Sequence, residues 1–294
     1  MYLNAPLRVA QDVQTLSADY FIADNVFAPG GQASGGAVLY DQVMQGFWFT
    51  GRDVQQVNPG QEFPLVDVQV PVPLTAMVAK WGGAIQFTYE DIRRNRIDKL
   101  AQGLSRLRNT ITRKVDTVSI AVLRQAPIIS QVASASWATA TTAIVKDILT
   151  GTTEVEKYEL GYKITGALIS PNTELNMMTN SDLLDKVWKA GVNSPTPKSP
   201  LVSRQLGQLL NLNWYVTPRV TDDECILLTE KITGNISDEV PLYTRVVDDP
   251  QRERKLVIAG RLTVPYITNP KSCVRITGIN GGALGTPAPG TNQD

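Results

Sequence analysis

One helical stripe, running from Tyr89 to about Arg124, constrains this chain more than any other feature. Thr88 is a good N-cap, and Glu90 and Asp91 fall in the first turn, where carboxylates complement the helix dipole. Ile92, Ile97, Leu100, Leu104, Leu107, Ile111, Val115, Val118 and Val122 follow, mainly at steps of three and four. Pro127 enforces the stop. About 36 residues at 1.5 Å each give a rod of roughly 54 Å. Gly103 interrupts it at a cost of about 1 kcal/mol, which predicts a bend there. The stripe is narrow for such a length, so one face is buried and the other is left to partners or solvent.

Charge on this rod is uneven. Arg93, Arg94, Arg96, Lys99, Arg106, Arg108, Arg113, Lys114 and Arg124 stand against Glu90, Asp91, Asp98 and Asp116, nine basic residues to four acidic. The whole chain is neutral, with 28 Lys+Arg and 28 Asp+Glu. The compensating charge includes residues 1–34, which carry Arg8 against Asp12, Asp19 and Asp24. Residues 42–75 carry Arg52 against Asp53, Glu62 and Asp67. A neutral protein that separates charge in this way can adhere to copies of itself, whereas a lone solvated basic face would explain the helix by itself.

Around the rod the organisation is mixed. Residues 1–34 are polar, with scattered apolar positions, and read as an arm that needs another surface to lie on. Residues 35–87 are strand-rich: Val38-Leu39-Tyr40, then Phe47-Trp48-Phe49, then the turn Asn58-Pro59-Gly60. After the turn, Phe63 to Val70 alternates at period two and Thr75 to Trp81 returns. Such a ribbon would project on the order of 40 to 50 Å and is marginal without support. From about 140 to 250 the pattern is α/β. Glu154 to Ala167 reads as one or two strands, and Leu168 to Asn172 as a turn. Helices are expected after Asn180-Ser181-Asp182 and after Ser199-Pro200, and strands at Trp214–Val216 and Cys225–Leu228. Lys255 to Ile267 and Cys273 to Ile279 read as a long strand pair, and the Gly/Pro-rich residues 281–294 as a tail.

The chemistry is defined mainly by what is missing. There is no histidine, which removes serine-type triads, imidazole acid–base work and most zinc sites. Cys225 and Cys273 form no CxxC pair and sit in strand patterns, so they read as small buried hydrophobes in a reducing compartment. Asp222-Asp223-Glu224 is the densest carboxylate cluster, and a turn between strands explains it as well as a metal or general-base role does. Gly30-Gly31 and Gly35-Gly36 read as hinges because no phosphate-binding glycine motif follows a strand. Trp81, Trp137, Trp188 and Trp214 accompany apolar runs and read as core or contact residues. No stretch of 18 apolar residues and no targeting segment occurs. No catalytic, cofactor or metal site is expected.

The order of parts, and the local runs that carry it, resemble the major capsid protein of tailed bacteriophages. This is the Hong Kong 97-type fold, and the likeness is greatest to siphophages infecting actinobacteria. The runs are Ala23-Asp24 through Pro29, Gly35 to Tyr40, Val57 to Pro64, Lys80-Trp81-Gly82 to Asp91, Arg94-Asn95, Arg108 to Asp116, and Val264 to Gly278. The resemblance implies an α+β fold with an N-terminal arm at 1–34 and an E-loop ribbon at 42–80. It implies a peripheral domain of 35–41, 81–144 and 251–280 around a spine helix at about 89–124. Residues 145–250 would be the axial domain and 281–294 a flexible tail.

The resemblance also implies a coat protein that assembles as pentamers and hexamers into an icosahedral shell around double-stranded DNA, in the host cytoplasm. Its partners would be itself, a portal and a separate scaffolding protein; Met1 at the start favours the separate scaffold over a removed one. Because the ribbon from 42 to 75 has no lysine, covalent lysine–asparagine cross-linking is not expected. The expected inter-subunit residues are Arg93, Arg94, Arg96, Arg106 and Arg108 against Asp12, Asp19, Asp24, Asp53, Glu62 and Asp67, with Phe47, Trp48, Phe49 and Phe63 buried by neighbours. The alternatives are an encapsulin-type compartment of the same fold, and an α/β enzyme built on Asp222 to Glu224.

Overall fold

A computed structural model of the chain describes residues 21–43, 49–50, 52–65, 71, 73–94, 97–139, 144–180 and 209–280. The fold is α+β and divides into two units, one built from segments 1–43, 69–126 and 234–268, the other from 44–68, 127–233 and 269–294.

The first unit is a sheet with a helix laid on it. Four strands run in the order β1 (Ala28–Gln32), β9 (Gly234–Asp249), β10 (Arg254–Ile267), β4 (Ala79–Thr88). β10 is antiparallel to both neighbours, pairing Arg254 to Thr263 with Thr88 to Ala79, while β1 adds to β9 in parallel. Helix α1 (Ile22–Val26) precedes β1; β2 (Ala37–Tyr40) and β3 (Leu74–Met77) form a separate antiparallel pair. The expected rod is two helices, α2 (Tyr89–Arg93) and α3 (Ile97–Gln125). Thr88 caps α2 by accepting the Asp91 N–H, and at Arg94 the backbone leaves the helical region. The break belongs here because α2 is tied to the β9–β10 hairpin: the Tyr89 N–H donates to the Glu253 carbonyl at 2.8 Å and its hydroxyl to Asp248.

Gly103 causes no break. A Cβ there would lie 3.1 Å from the Phe87 ring, so the glycine lets α3 settle closely on β4. Leu104, Leu107, Ile111 and Val115 are buried as the spacing predicts. In the last turns Ile120 and Leu123 take the buried positions, and Val118 and Val122 are only half-buried.

The second unit is a five-stranded sheet in the order β5 (Ile129–Val132), β11 (Cys273–Thr277), β8 (Glu224–Leu228), β6 (Gly166–Ile169), β7 (Asn213–Val216). It is mixed: β5–β11 and β6–β7 are parallel, β11–β8 and β6–β8 antiparallel. With α4 (Ile144–Glu156) and α5 (Pro171–Thr179) it encloses a core that includes Trp137, Ile148, Ile169, Met177, Leu227 and Ile276. β6 and β8 are buried along their whole length, as strands covered on both faces should be.

Several expectations are corrected. The strand read from Glu154 begins inside α4, whose Ile144, Ile148, Gly151 and Val155 share a buried face. Thr150, Thr152 and Thr153 return their hydroxyls to carbonyls four residues back, so β-branched residues that resemble a strand sit in a helix. The turn at Ser170-Pro171-Asn172 opens α5: the Ser170 hydroxyl accepts the Thr173 N–H at 3.1 Å. The helix expected after Asn180 and most of the one expected from about Leu201 to Leu210 fall in 181–208, outside the described residues; at the end of the second, Leu209–Asn211 is a single 3-10 turn with Leu210 in the left-handed region.

Residues 255–267 and 273–277 do not pair with each other; β10 joins the first sheet and β11 the second. β9, the longest strand, falls inside the stretch 145–250 read as one domain, yet its partners put it in the first unit. Segments 127–144 and 269–280, read as peripheral, lie in the second unit.

Cys225 and Cys273 are free thiols with no solvent exposure, and burial pushes both up, Cys273 to about 12. Titration with a thiol reagent at neutral pH should find neither cysteine in the native chain and both once guanidinium unfolds it. Stoichiometric labelling of the folded protein would contradict this packing.

Candidate assembly surface

The root of the arm is docked, contrary to its reading as a limb without a core. Phe21, Ala23, Val26, Phe27 and Ala33 are all buried. Gly30 and Gly31 are not hinges but residues of β1, the edge strand beside β9, where Pro29 is tolerated because an edge strand need not donate on its outer side. A Cβ on Gly30 would fall 2.4 Å from the Ser237 hydroxyl and 2.5 Å from that of Tyr266, so only glycine allows the strand this close.

Two polar contacts fix this segment. Asp116, buried on α3, accepts the Ala23 N–H at 3.1 Å, satisfying a first-turn donor that α1 cannot. On β10, Arg261 is the hub. Its guanidinium donates to both Asp24 oxygens at 2.9 and 3.2 Å and to both Asp238 oxygens at 3.0 to 3.2 Å. The Phe21 ring lies 5.0 Å from it. Burial works against the Arg261 charge; hydrogen bonds and charge from Asp238 and Asp24 outweigh it and hold the guanidinium above its ordinary range. Asp24, expected to meet a neighbouring subunit, has a cation partner in its own chain and stays 38% exposed. Asp12 and Asp19 lie outside the described residues.

The loop between β2 and β3 behaves differently. Asn58-Pro59-Gly60 makes the expected turn, closed by the Gln61 N–H on the Asn58 carbonyl at 3.1 Å. No strand pairing occurs among its described residues 49–65, so the expected ribbon has no ladder there. Its apolar side chains are uncovered: Phe49 is 46% exposed, Val54 82%, Phe63 80% and Leu65 91%. Val54 and Leu65 are additions to the expected set; Val54 lies between Asp53 and Gln55, and Leu65 follows Pro64 and precedes Val66, so neither has a distinctive sequence signal. Asp53 accepts the N–H of Val54, and Glu62 is exposed. Phe47, Trp48 and Asp67 lie outside the described residues.

Of the basic set, Arg93 and Arg94 are exposed at the end of α2, and Arg106 is exposed on α3. Arg108 is half-buried and donates through Nε to the Asn109 carbonyl oxygen at 3.1 Å; Arg96 lies outside the described residues. The basic residues expected on one rod are thus carried by two helices, Arg93 at the end of α2 and Arg106 and Arg108 on α3.

The carboxylate cluster is dispersed onto separate structural partners. Asp222 accepts from Asn172 at 2.7 Å, and hydrogen bonds from Ser170 and Asn172 hold it below its ordinary range. Asp223 accepts the Asn280 N–H, and buried Glu224 pairs with Arg275 at 2.8 Å. No three metal-ligating side chains converge among the described residues. Trp137 is fully buried and donates to Asp147 at 2.9 Å, Trp214 packs on the same core, and Lys114 lies 4.8 Å over the Trp81 ring. Trp188 lies outside the described residues.

A sequence model of a family described as phage capsid protein matches residues 71–276, more than half of the chain. No curated protein matches. Among solved structures, the mature capsid of bacteriophage PhiM1 is similar at 13% identity and a TM-score of 0.64, covering 87% of this chain and 86% of that one. The Gordonia phage Cozz structure aligns at 12% identity and a TM-score of 0.58, covering 90% and 85%. A virus-like particle from Pyrococcus furiosus aligns at 9% identity and 0.60, covering 92% and 98%.

Replacing Arg261 with Met would leave Asp24 and Asp238 facing one another without a cation. The expected loss is about 3 kcal/mol, the low end for a broken buried pair, because Asp24 is 38% exposed. Limited proteolysis should then cut within residues 21–33 of the variant faster than in wild type. Gly30→Val should do the same through steric displacement. Unchanged cleavage in both variants would show that the arm is held by something other than these contacts.

Proposed function

The chain belongs to the phage capsid protein family, with the Hong Kong 97-type fold, and from that premise we propose that it is the major coat subunit of a tailed double-stranded DNA phage. Membership makes it a structural protein of the virion capsid and not an enzyme. The proposal is that copies associate as pentamers and hexamers into a closed icosahedral shell, assembled in the host cytoplasm with a separate scaffolding protein and a portal, around packaged DNA. In that scheme the sheet–helix unit serves as the peripheral domain and the five-stranded unit as the axial domain.

The family match over residues 71–276 carries this reading. The exposed loop side chains supply a mechanism. A monomer that leaves Phe63 and Leu65 in water forgoes about 1.5 to 3 kcal/mol for each, and a neighbour that covers them recovers it. Repeated over every subunit of a closed shell, such weak contacts sum to high collective stability. Arg93 and Arg94, exposed at the end of α2, are the cations assigned to the acidic loop of the neighbour, through Asp53 and Glu62. The encapsulin-type alternative shares the fold, and the likeness to a virus-like particle at 9% identity does not support it better than the family match supports a phage coat protein.

Electron microscopy of the protein expressed with its scaffold should show closed particles. Phe63→Ser with Leu65→Ser, and separately Arg93→Glu with Arg94→Glu, should abolish or deform particles while shifting the unfolding free energy of the subunit by no more than about 0.5 kcal/mol, since all four sites are exposed. Normal particles from both variants would remove these residues from the interface. A wild-type chain that stays monomeric with scaffold present would overturn the shell reading itself.

A further inference from the structure

We propose that the solvent face of α3 is the surface on which this protein meets duplex DNA, with Arg106 and Arg113 neutralising phosphates and no base being read. The inference rests on the shell reading above and adds to it the surface that contacts the enclosed nucleic acid.

From Gln102 to Gln125 the face is of a single sign. Between Gln102 and Gln125 the sequence has one carboxylate, Asp116, and that residue is buried and engaged with the Ala23 N–H. Arg106, Arg113 and Lys114 are exposed along the same stretch, and the exposed residues among them, Gln102, Asn109, Thr110 and Thr117, are neutral. Solvated helix faces normally set cations against carboxylates three or four residues away; Arg106 and Arg113 have Gln102, Asn109, Thr110 and Thr117 at those positions, and their only acidic neighbour at that spacing, Asp116, is turned inward. Lys114 is already engaged over the Trp81 ring, which leaves the two arginines as the principal cations.

The geometry suits a phosphate backbone better than a neighbour's loop. Arg106 and Arg113 are seven residues apart, or about 10.5 Å along the axis, a span over which one DNA strand presents about three phosphates. Asn109 lies between them, and because its carbonyl oxygen accepts from Arg108, its NH2 is the end left for an acceptor. Thr110 and Thr117 return their hydroxyls to the backbone at 2.8 and 2.6 Å and so contribute bulk, not donors. Guanidinium forks bind phosphate bidentately, and such contacts position a duplex without reading it. By contrast, the described acidic loop offers Asp53 and Glu62 offset by Arg52, a net charge too small to match the stripe.

The test uses the full-length unassembled chain and two fluorescent duplexes of roughly 20 bp with unrelated sequences, titrated from about 50 to about 200 mM NaCl. Both duplexes should bind equally. Arg106→Gln with Arg113→Gln should flatten the dependence of log affinity on log salt by about 1.8, at about 0.9 for each phosphate that is no longer neutralised. Arg106→Lys with Arg113→Lys should keep most of the slope, and Arg93→Gln with Arg94→Gln should leave it unchanged. An unaltered slope in the double glutamine variant overturns the inference, as does a wild-type chain that binds neither duplex. Loss of particles in that variant with its DNA slope intact would reassign the stripe to a subunit contact. Failure of the shell reading has a separate sign, the absence of closed wild-type particles whatever the DNA affinity.

Discussion

The Arg261 guanidinium, buried between Asp24 and Asp238, is the contact on which the rest of the first unit turns. A cation in that position is tolerable only if its donors are satisfied, and here one carboxylate comes from the other strand of its own hairpin and the second from a segment 237 residues earlier. Satisfying it therefore requires α1 to lie against the sheet. Once α1 is there, Phe21 and Phe27 are buried, β1 extends the sheet edge, and Asp116 meets the Ala23 N–H. Each of these contacts is modest alone. They are coupled because one short segment makes all of them, so the segment docks or releases as a whole.

That coupling divides the chain's projecting parts into two kinds. The arm root has polar groups that only its own body satisfies, so it is an internal element. The loop from Phe49 to Leu65 has apolar side chains that its own described surroundings leave in water, and its few polar contacts are local, as with Asp53 and Val54. Single exposed apolar residues scattered over a surface are ordinary, whereas Phe49, Val54, Phe63 and Leu65 stand exposed in one short segment, which is why the proposed shell contact is placed there. The expectation that both limbs are incomplete on their own therefore does not hold for the arm root, which its own body completes, and among the described residues of the loop no ladder is present.

Legibility in the sequence follows the range of the interactions. Leu104, Leu107, Ile111 and Val115 are readable because helical periodicity is local and nothing competes with it. The last turns drift to Ile120 and Leu123 because the sheet, not the sequence stripe, decides which side is covered there. β9 is unreadable because Pro241 and two register shifts opposite Gly260 to Thr263 break its alternation, so a bulged strand resembles a loop. α4 resembles a strand in sequence because its threonines are β-branched, until their hydroxyls find carbonyls one turn back. The Arg261 cluster gives no signal at all, since a bond between residues 24 and 261 has no local signature. What the order of parts does carry is the family, and with it the α+β class.

Charge follows the same logic of range. The chain is neutral as a whole, yet its surfaces are not, because Asp116 is spent on the arm and Asp24 and Asp238 on Arg261. Carboxylates used internally cannot balance the arginines of α3. The basic stripe is in this respect a by-product of how the arm is anchored: Asp116, the one acid between Gln102 and Gln125, is drawn inward to hold the segment, and Arg113 three residues away is left without it as a surface counter-charge. The chain keeps its net charge at zero and still carries the stretch of α3 to which the DNA contact is assigned by proposal. Neutrality of the chain and a one-signed stretch of α3 are compatible because the one acid of that stretch, Asp116, is buried by the contact that docks the arm.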